Sequence, residues 1–293
     1  MPGVLSLVRR ASGARPYLAV LRLPQPDPGV QVRLLPGEPE ATRRLGQILG
    51  TTAGPVPERG LLVHAAVASH DPTAPAAALA AHRRAGGRVL AILVGTPEER
   101  ARLERVVLAQ EGLGAAHVSH VASLDGAGAR EVARAVAEAL GDDLPAVART
   151  LPSLREAATD LLVGRAARRA AAIAAVGVVP GAAMPVLTLL QARLVADLAA
   201  VYGRRPGIER ALDLAAVVAA GFGLRGLGRS ALLLLPGPAF ALRAGVAYAG
   251  TRAIGAAAAR WLAEGGELAD RPLGELRERI AGALRGITGR ERS

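Results

Sequence analysis

The sequence predicts a chain in two parts, an α/β domain built on a parallel sheet followed by an Ala- and Gly-rich all-α domain. In the first half, short apolar runs alternate with helical patterns, which is typical of a parallel sheet covered by helices on both faces. In the second half, long uncharged runs accompany 19 Arg against 11 acidic residues, compared with 17 Arg against 14 acidic residues in the first. We place the boundary at Pro145–Pro152. This divides the chain into an N-terminal segment (1–29), an α/β domain (30–145), a helical domain (152–266) and an amphipathic C-terminal helix (267–293).

Runs rich in apolar or β-branched residues predict the strands of a Rossmann-like sheet. These runs are Tyr17–Leu23, Gly29–Leu35, Gly60–Ala68, Arg88–Val94 and Ala116–Ala122. Helical spacing predicts helices over Glu38–Leu49, Pro75–Ala85 and Gly128–Leu140, and another after Thr96. Thr96, Pro97 and Glu99 have the spacing of a capping box with proline at the first helical position.

The second half contains a 23-residue uncharged run, Ala170–Ala192, after a predicted helix Leu151–Gly164 that ends in Arg165, Arg168 and Arg169. Pro180 and Pro185 interrupt this run. A helical hairpin turning between them would leave the flanking Arg residues on one side, as the positive-inside rule favours. A full membrane span and a soluble Ala-rich bundle are the alternatives.

Two further segments of the second half bear on membrane association. Ser230–Ala259, turning at Pro236–Pro238, has a plan comparable to the first hairpin. The tail Leu273–Thr288 places Leu and Ile on one helical face with Arg outside it, which suits an anionic membrane surface or a partner helix.

The composition excludes several chemistries. All 36 basic residues are Arg, the net charge is +11, and the chain has no Lys, Asn or Cys. Absence of Lys rules out a Schiff-base enzyme and a phosphate-binding P-loop lysine, and absence of Cys rules out thiol nucleophiles and thiolate metal sites. The bias is typical of a high-GC bacterial genome. Met1–Val8 is too short for a secretory signal, and the Arg pair follows it rather than precedes it.

The segment after the strand Val32–Leu35 occupies the place of a P-loop, the GxxxxGK[ST] motif that binds nucleotide phosphates. Gly37 matches the first glycine, whereas Thr42, Arg43 and Arg44 stand where Gly, Lys and Ser/Thr are needed. Intervening carboxylates and Pro39 oppose phosphate binding by like charge and by loss of an amide donor. The segment is either a vestigial nucleotide loop or an ordinary strand–turn–helix. Neither interpretation supports GTP hydrolysis, so GTP is not an expected partner.

The strand end Leu93–Glu98 lies where the guanine-reading Asn-Lys-x-Asp of a GTPase would stand. Only Glu98 retains a carboxylate at the Asp position. The next strand, His117–Val121, is followed by Gly126–Gly128 and a closing helix, in the order of a GTPase. We therefore interpret the first domain as a degenerate, GTPase-like sheet that needs no cofactor.

Other motifs are weaker. Gly221–Gly226 fits GxGxxG but follows an Ala-rich helix rather than a strand, so a dinucleotide site is not expected. His117 and His120 would point to opposite faces of a strand, which argues against a metal site. His64, His70 and Asp71 lie at a strand end, where ligands of open sheets bind. Stacking aromatic residues are too few for a nucleic-acid partner.

The second half resembles the YcjF-like, GTPase-associated family (domain of unknown function 697). The first matching stretch is Ala183–Gln191 with Tyr202 and Gly203. The second is Pro236-Gly237-Pro238, then Gly245–Thr251 with Tyr248, Gly250 and Thr251, then Gly255 and Gly265-Gly266. The resemblance covers about Pro152–Gly266. It implies a membrane-associated helical domain that often follows an Era-like GTPase domain, and it implies no catalytic residue.

We therefore predict a non-enzymatic, membrane-associated scaffold or regulator with a pseudo-GTPase domain, on the cytoplasmic side of the inner membrane. Its predicted partners are an anionic lipid surface and a protein. The main alternative is a nucleotide-dependent switch in which Arg43 replaces the missing Lys. A third is a small-molecule enzyme using His64, His70 and Asp71.

Overall fold

A computed structural model of the chain describes residues 29–55, 60–176, 183–204 and 239–264. The described part contains a four-stranded parallel sheet in the order β1-β2-β3-β4. Its strands are β1 (Gln31–Leu34), β2 (Gly60–Val67), β3 (Arg88–Val94) and β4 (Val118–Val121). Leu34 pairs with Val63, Val67 with Val94, and Val94 with Val121, so the carboxyl ends of the last three strands lie level. The predicted α/β class and parallel sheet are confirmed.

Helices cover both faces of this sheet. They are α1 (Pro39–Leu49), α2 (Thr73–Arg84), α3 (Pro97–Leu108) and α4 (Gly126–Leu140). On the first face, α1 and α4 pack on the odd-numbered residues of β2, such as Leu61 and Val63. On the second face, α2 and α3 pack on the even-numbered residues, such as Leu62 and Ala66. Burial on both sides explains why these strands are continuously apolar.

The connection from β1 to β2 has the opposite hand from the next two. All three connections step the same way across the sheet, but α1 lies on the first face whereas α2 and α3 lie on the second. After α1 the chain passes the outer edge of β1, where Ala53 forms a parallel bridge with Leu34. The chain therefore leaves β1 and β2 toward opposite faces, and the carboxyl ends of two such strands are the usual ligand position in open α/β sheets.

Four helices follow the sheet: α5 (Leu144–Thr150), α6 (Arg155–Val176), α7 (Ala183–Val201) and α8 (Ala239–Ala263). The predicted end of a helix at Gly164 is wrong, because α6 continues through the three Arg residues to Val176. Arg has a high helix propensity, and an exposed cluster of cations does not by itself end a helix. Pro185 belongs to the first turn of α7 rather than to the preceding connection.

The helices α6, α7 and α8 share a core of small and branched residues. The cluster joins Val163 of α6, Leu194 and Leu198 of α7, and Ile254 and Leu262 of α8. The helices α6 and α8 approach closely at Gly255, where an added Cβ would lie 2.6 Å from Val163 Cγ2. None of the described helices is both long enough and apolar enough to cross a membrane.

The core of the sheet continues into the helical part. Leu154 before α6, Ala158 within it and Val201 at the end of α7 are fully buried in the cluster that also contains α1 and α4. Tyr202 packs against both this cluster and the three-helix core. Gly203, with φ of 75°, then ends α7 in the left-handed conformation.

Several predicted features lie outside the described residues. They are the strand Tyr17–Leu23, the motif Gly221–Gly226, Pro180, Pro236 and Gly237 of the predicted turns, and the C-terminal amphipathic helix.

Candidate functional site

The candidate site lies at the carboxyl ends of β1 and β2 and contains the loop that leads from β1 into α1. We call residues 35–38 the entry loop. Leu35 extends the sheet by donating its N–H to the carbonyl of Val63 at 2.8 Å. The loop then turns onto the first face of the sheet, and its last residue, Glu38, stands at the N-cap of α1. Glu38–Leu49 was predicted as a helix, and this prediction is confirmed with a start one residue later.

The N-terminus of α1 is occupied by a carboxylate of its own loop. The side chain of Glu38 accepts hydrogen bonds from the N–H groups of Glu40, at 3.1 Å, and Ala41, at 2.5 Å. These amides are among those that a helix N-terminus offers to a bound phosphate. Pro39 has no N–H to offer. The positive end of the helix dipole is therefore already neutralised by an internal anion.

The remaining groups of the segment Gly37–Arg44 are engaged as well. Gly37 donates its N–H to the hydroxyl of Thr42 at 3.2 Å. Arg43 and Arg44 both bind the carboxylate of Glu40, with closest distances of 2.6 and 2.7 Å. These bonds hold the pKa of Glu40 below its usual value, so the carboxylate stays ionised. The two cations nearest the loop are thus directed to a neighbouring side chain.

A second link connects α1 to the loop that precedes α4. The Arg44 guanidinium lies 3.9 Å from the carboxylate of Asp125. Asp125 in turn accepts a hydrogen bond from the hydroxyl of Ser123 at 2.5 Å. These contacts join α1 to that loop on the first face of the sheet.

His64 packs beneath the entry loop, against Gly37. Its side chain is 2% exposed, and Nδ1 lies 3.3 Å from the carbonyl oxygen of Leu35. Because a carbonyl can only accept, Nδ1 carries the proton in this contact. Burial lowers the pKa of His64, which favours the neutral imidazole. A Cβ at Gly37 would collide with the ring, so the glycine is required for this close approach.

The structure gives His64, His70 and Asp71 different surroundings. His70 is exposed, whereas His64 is buried under the loop. Asp71 Oδ1 accepts from the N–H and the hydroxyl of Thr73, at 3.0 and 2.7 Å, and thereby caps the start of α2. Within the described ranges, no cluster of three or more His, Asp or Glu could hold a metal ion.

The segment Leu93–Glu98, compared above with the guanine-reading motif of a GTPase, contains a helix cap. Thr96 accepts from the N–H of Glu99 at 3.3 Å, and the Glu99 carboxylate accepts from the N–H of Thr96 at 2.8 Å. The predicted capping box is confirmed. Glu98 is exposed beside it. His117 lies in a short 3-10 turn before β4, and not in the strand where it was predicted.

The residues of the family-like motifs lie in the helical part. Gln191 is half-buried on α7. On α8, Tyr248 OH accepts from Arg252 Nη1 at 3.4 Å, and Thr251 is fully buried. Gly250 has open space around it, whereas Gly255 packs closely on α6. Of these residues, Thr251 and Gly255 serve helix packing in the described structure.

Two cavities flank α6 and were not predicted. The larger, about 540 Å³, lies between α4, α6 and α8, and charges of both signs line it. The smaller, about 260 Å³, lies between α6, α7 and the turn after α4. The Arg-rich stretch of α6 was the one sequence signal near them, because Arg168 lines the first cavity, and Arg165 and Arg169 line the second.

The chain matches no protein-family model, and comparisons with curated proteins and with solved structures give no significant match. The resemblance to the YcjF-like family and to Era-like GTPases therefore stays a prediction.

Proposed function

We propose that the chain is a non-enzymatic scaffold or regulatory protein, whose sheet domain keeps the layout of a nucleotide-binding domain but binds a protein partner instead. The single observation that carries this proposal is the self-filled entry loop. The Glu38 carboxylate accepts hydrogen bonds from the amides at the start of α1. The Glu40 carboxylate forms ion pairs with Arg43 and Arg44.

The energetics of the loop oppose a triphosphate. A phosphate at the start of α1 would have to displace the Glu38 carboxylate from two amides and separate two cations from Glu40. It would also meet both carboxylates as like charges at close range. An Arg–phosphate contact is strong because its hydrogen bonds are charge-assisted, but here it would replace contacts of the same kind with Glu40.

The helical part supports the membrane component of the proposal. The helices α6 and α7 are joined by only six residues, so they form a hairpin. Their connected ends carry no charge over Ala170–Ala192, and Arg165, Arg168, Arg169 and Arg193 lie just before and after this run. At about 1.5 Å per residue, ten helical residues reach about half of a bilayer core of about 30 Å. We therefore propose that the hairpin tip enters one leaflet from the cytoplasmic side.

Equilibrium binding of fluorescent GTP and ATP to the full chain, with Mg²⁺, tests the first part. We expect no saturable binding up to millimolar nucleotide. Micromolar affinity that is lost in Arg43→Ala, but retained when the exposed Arg102 of α3 is replaced by Ala, would instead establish a nucleotide switch. Residual affinity unchanged by both substitutions would place a nucleotide elsewhere and also refute the pseudo-GTPase proposal.

Cell fractionation tests the second part. We expect the protein in the membrane fraction, with the tip between α6 and α7 protected from added protease. Protein found wholly in the soluble fraction, and monodisperse without detergent, would contradict membrane association.

A further inference from the structure

The smaller cavity combines apolar walls with a cluster of Arg residues. Its volume is about 260 Å³, and its walls include Leu162 of α6 and Leu190 and Leu194 of α7. The polar residues that line it are Arg165 and Arg169 of α6, Arg193 and Asp197 of α7, and Asp142 of the turn after α4. Drug-sized ligands usually occupy about 300–1,000 Å³, so this cavity suits a single small headgroup rather than a nucleotide.

The charges of the cavity leave a positive excess. Arg193 Nε lies 3.6 Å from Asp197 Oδ2. Arg165 and Arg169 form no ion pair within 4 Å in the part of the chain that the structure describes, and Asp142 is exposed. Three guanidinium groups therefore face two carboxylates. A guanidinium group matches the paired oxygens of a phosphate, which makes an anionic phosphate ester the ligand that this cluster fits.

The position of the cavity identifies the source of the phosphate. Arg169 is the last charged residue before the uncharged run and Arg193 the first one after it. If the tip of the hairpin enters a leaflet, these two residues lie at the depth of the lipid headgroups. Leu190, three residues closer to the tip than Arg193, then meets the glycerol backbone and the first acyl carbons.

We propose that this cavity binds the headgroup phosphate of an anionic phospholipid, held by Arg165, Arg169 and Arg193. The inference rests on the proposed membrane association and deepens it, because it turns a general attraction to an anionic surface into a defined headgroup site.

Asp197 makes the site sensitive to pH. Burial raises the pKa of Asp197 to about 6, and Asp142 contributes in the same direction, whereas Arg193 and Arg169 lower it. The charged groups that face Asp197 from α6, from α7 and from the turn after α4 are thus Arg165, Arg169, Arg193 and Asp142. Ionised Asp197 repels a phosphate in the cavity. Below about pH 6 protonation removes this negative charge, and headgroup binding strengthens.

Vesicle flotation of the full-length protein tests the site. Vesicles of phosphatidylcholine alone are compared with vesicles that also contain phosphatidylglycerol. We expect Arg165→Gln/Arg169→Gln to weaken the phosphatidylglycerol-dependent binding at least about tenfold, the loss that corresponds to one charge-assisted hydrogen bond. The matched control, Arg102→Gln/Arg105→Gln, removes the same charge from exposed positions of α3, on the opposite face of the sheet. It should bind like the wild type.

A pH series separates the site from general electrostatics. Wild-type binding should rise as the pH falls through about 6. Asp197→Asn should bind at pH 7.5 as the wild type does at pH 5.5, with a flatter pH profile. Circular dichroism of each variant checks that it is folded.

The failures are distinguishable. The headgroup site would be refuted if the two double variants lost vesicle binding equally. It would also be refuted if the protein bound both vesicle types and neither double variant changed this binding. Either result would leave membrane association standing. The affinity of the protein for glycerol 3-phosphate or inorganic phosphate in solution is compared with its affinity for the vesicles. Equal affinities would show that a free phosphate is the ligand and would refute the lipid assignment. No binding to either vesicle type would refute the proposed membrane association itself.

Discussion

Removal of the Glu38 side chain is the most direct perturbation of the entry loop. Glu38→Ala removes both hydrogen bonds to the first turn of α1, at 3.1 and 2.5 Å, and one anion from the positive end of the helix. Loss of an N-cap side chain costs typically about 1 kcal/mol and up to about 2, and loss of a charge favourable to the dipole costs about 0.3–1 kcal/mol. We expect the free energy of unfolding to fall by about 1–2 kcal/mol.

Chemical denaturation followed by circular dichroism measures this loss. A suitable control is Glu98→Ala, because Glu98 also lies in the first turn of a helix, α3, but is exposed and makes no hydrogen bond in the described structure. Its effect should stay within about 0.5 kcal/mol, as for ordinary surface substitutions. Equal effects of the two substitutions would refute the argument that Glu38 saturates the helix N-terminus.

The same variant tests whether Glu38 stands in for an external anion. With the carboxylate removed, the amides of Glu40 and Ala41 are open to a dissolved anion. Inorganic phosphate should therefore raise the thermal midpoint of Glu38→Ala by mass action, and raise that of the wild type less. An identical response of both proteins would contradict the interpretation of the loop as a self-filled anion site.

Two further substitutions test the helical part. Gly255→Val should lower the free energy of unfolding by about 1–3 kcal/mol through overpacking against Val163, with partial recovery in Gly255→Val/Val163→Ala. Gly250→Ala should be neutral or stabilising, because Gly250 has open space around it. Denaturant unfolding measures each variant, and equal effects at the two glycines would refute the close approach of α6 and α8. Burial raises the pKa of Asp197 from its ordinary 3.8 to about 6 in the folded protein, so ionisation of Asp197 destabilises the folded state. The free energy of unfolding of Asp197→Asn, relative to the wild type, should therefore rise between about pH 4 and 6 and stay level above about pH 6. A constant difference between the two proteins across this range would contradict the raised pKa.

The sheet was readable from the sequence because its signals are local. The run Arg88–Val94 is apolar after its first residue, and its bounds agree with the structure. The capping box at Thr96 depends on three adjacent residues, so it too could be predicted. Helix ends without such a signal were less accurate, as the extension of α6 past Gly164 shows.

The candidate site was only partly readable. The sequence predicts that carboxylates near Gly37 oppose a phosphate, but not that Glu38 folds back onto the amides of α1. The place of His64 under the entry loop depends on the pairing of β1 with β2 and on the opposite hand of their connection. The smaller cavity joins α6 to α7 across the hairpin, and spacing along one helix carries no information on such a neighbour.

The shared core has a consequence for how the chain responds to cleavage. Leu154, Ala158 and Val201 are buried among side chains of the sheet and of its first-face helices. A protease that cut the backbone near Pro152 would therefore leave two pieces bound to each other through these contacts, and both pieces would melt at one temperature. Force applied to the hairpin of α6 and α7 would likewise reach the strands through packed side chains rather than through a flexible linker.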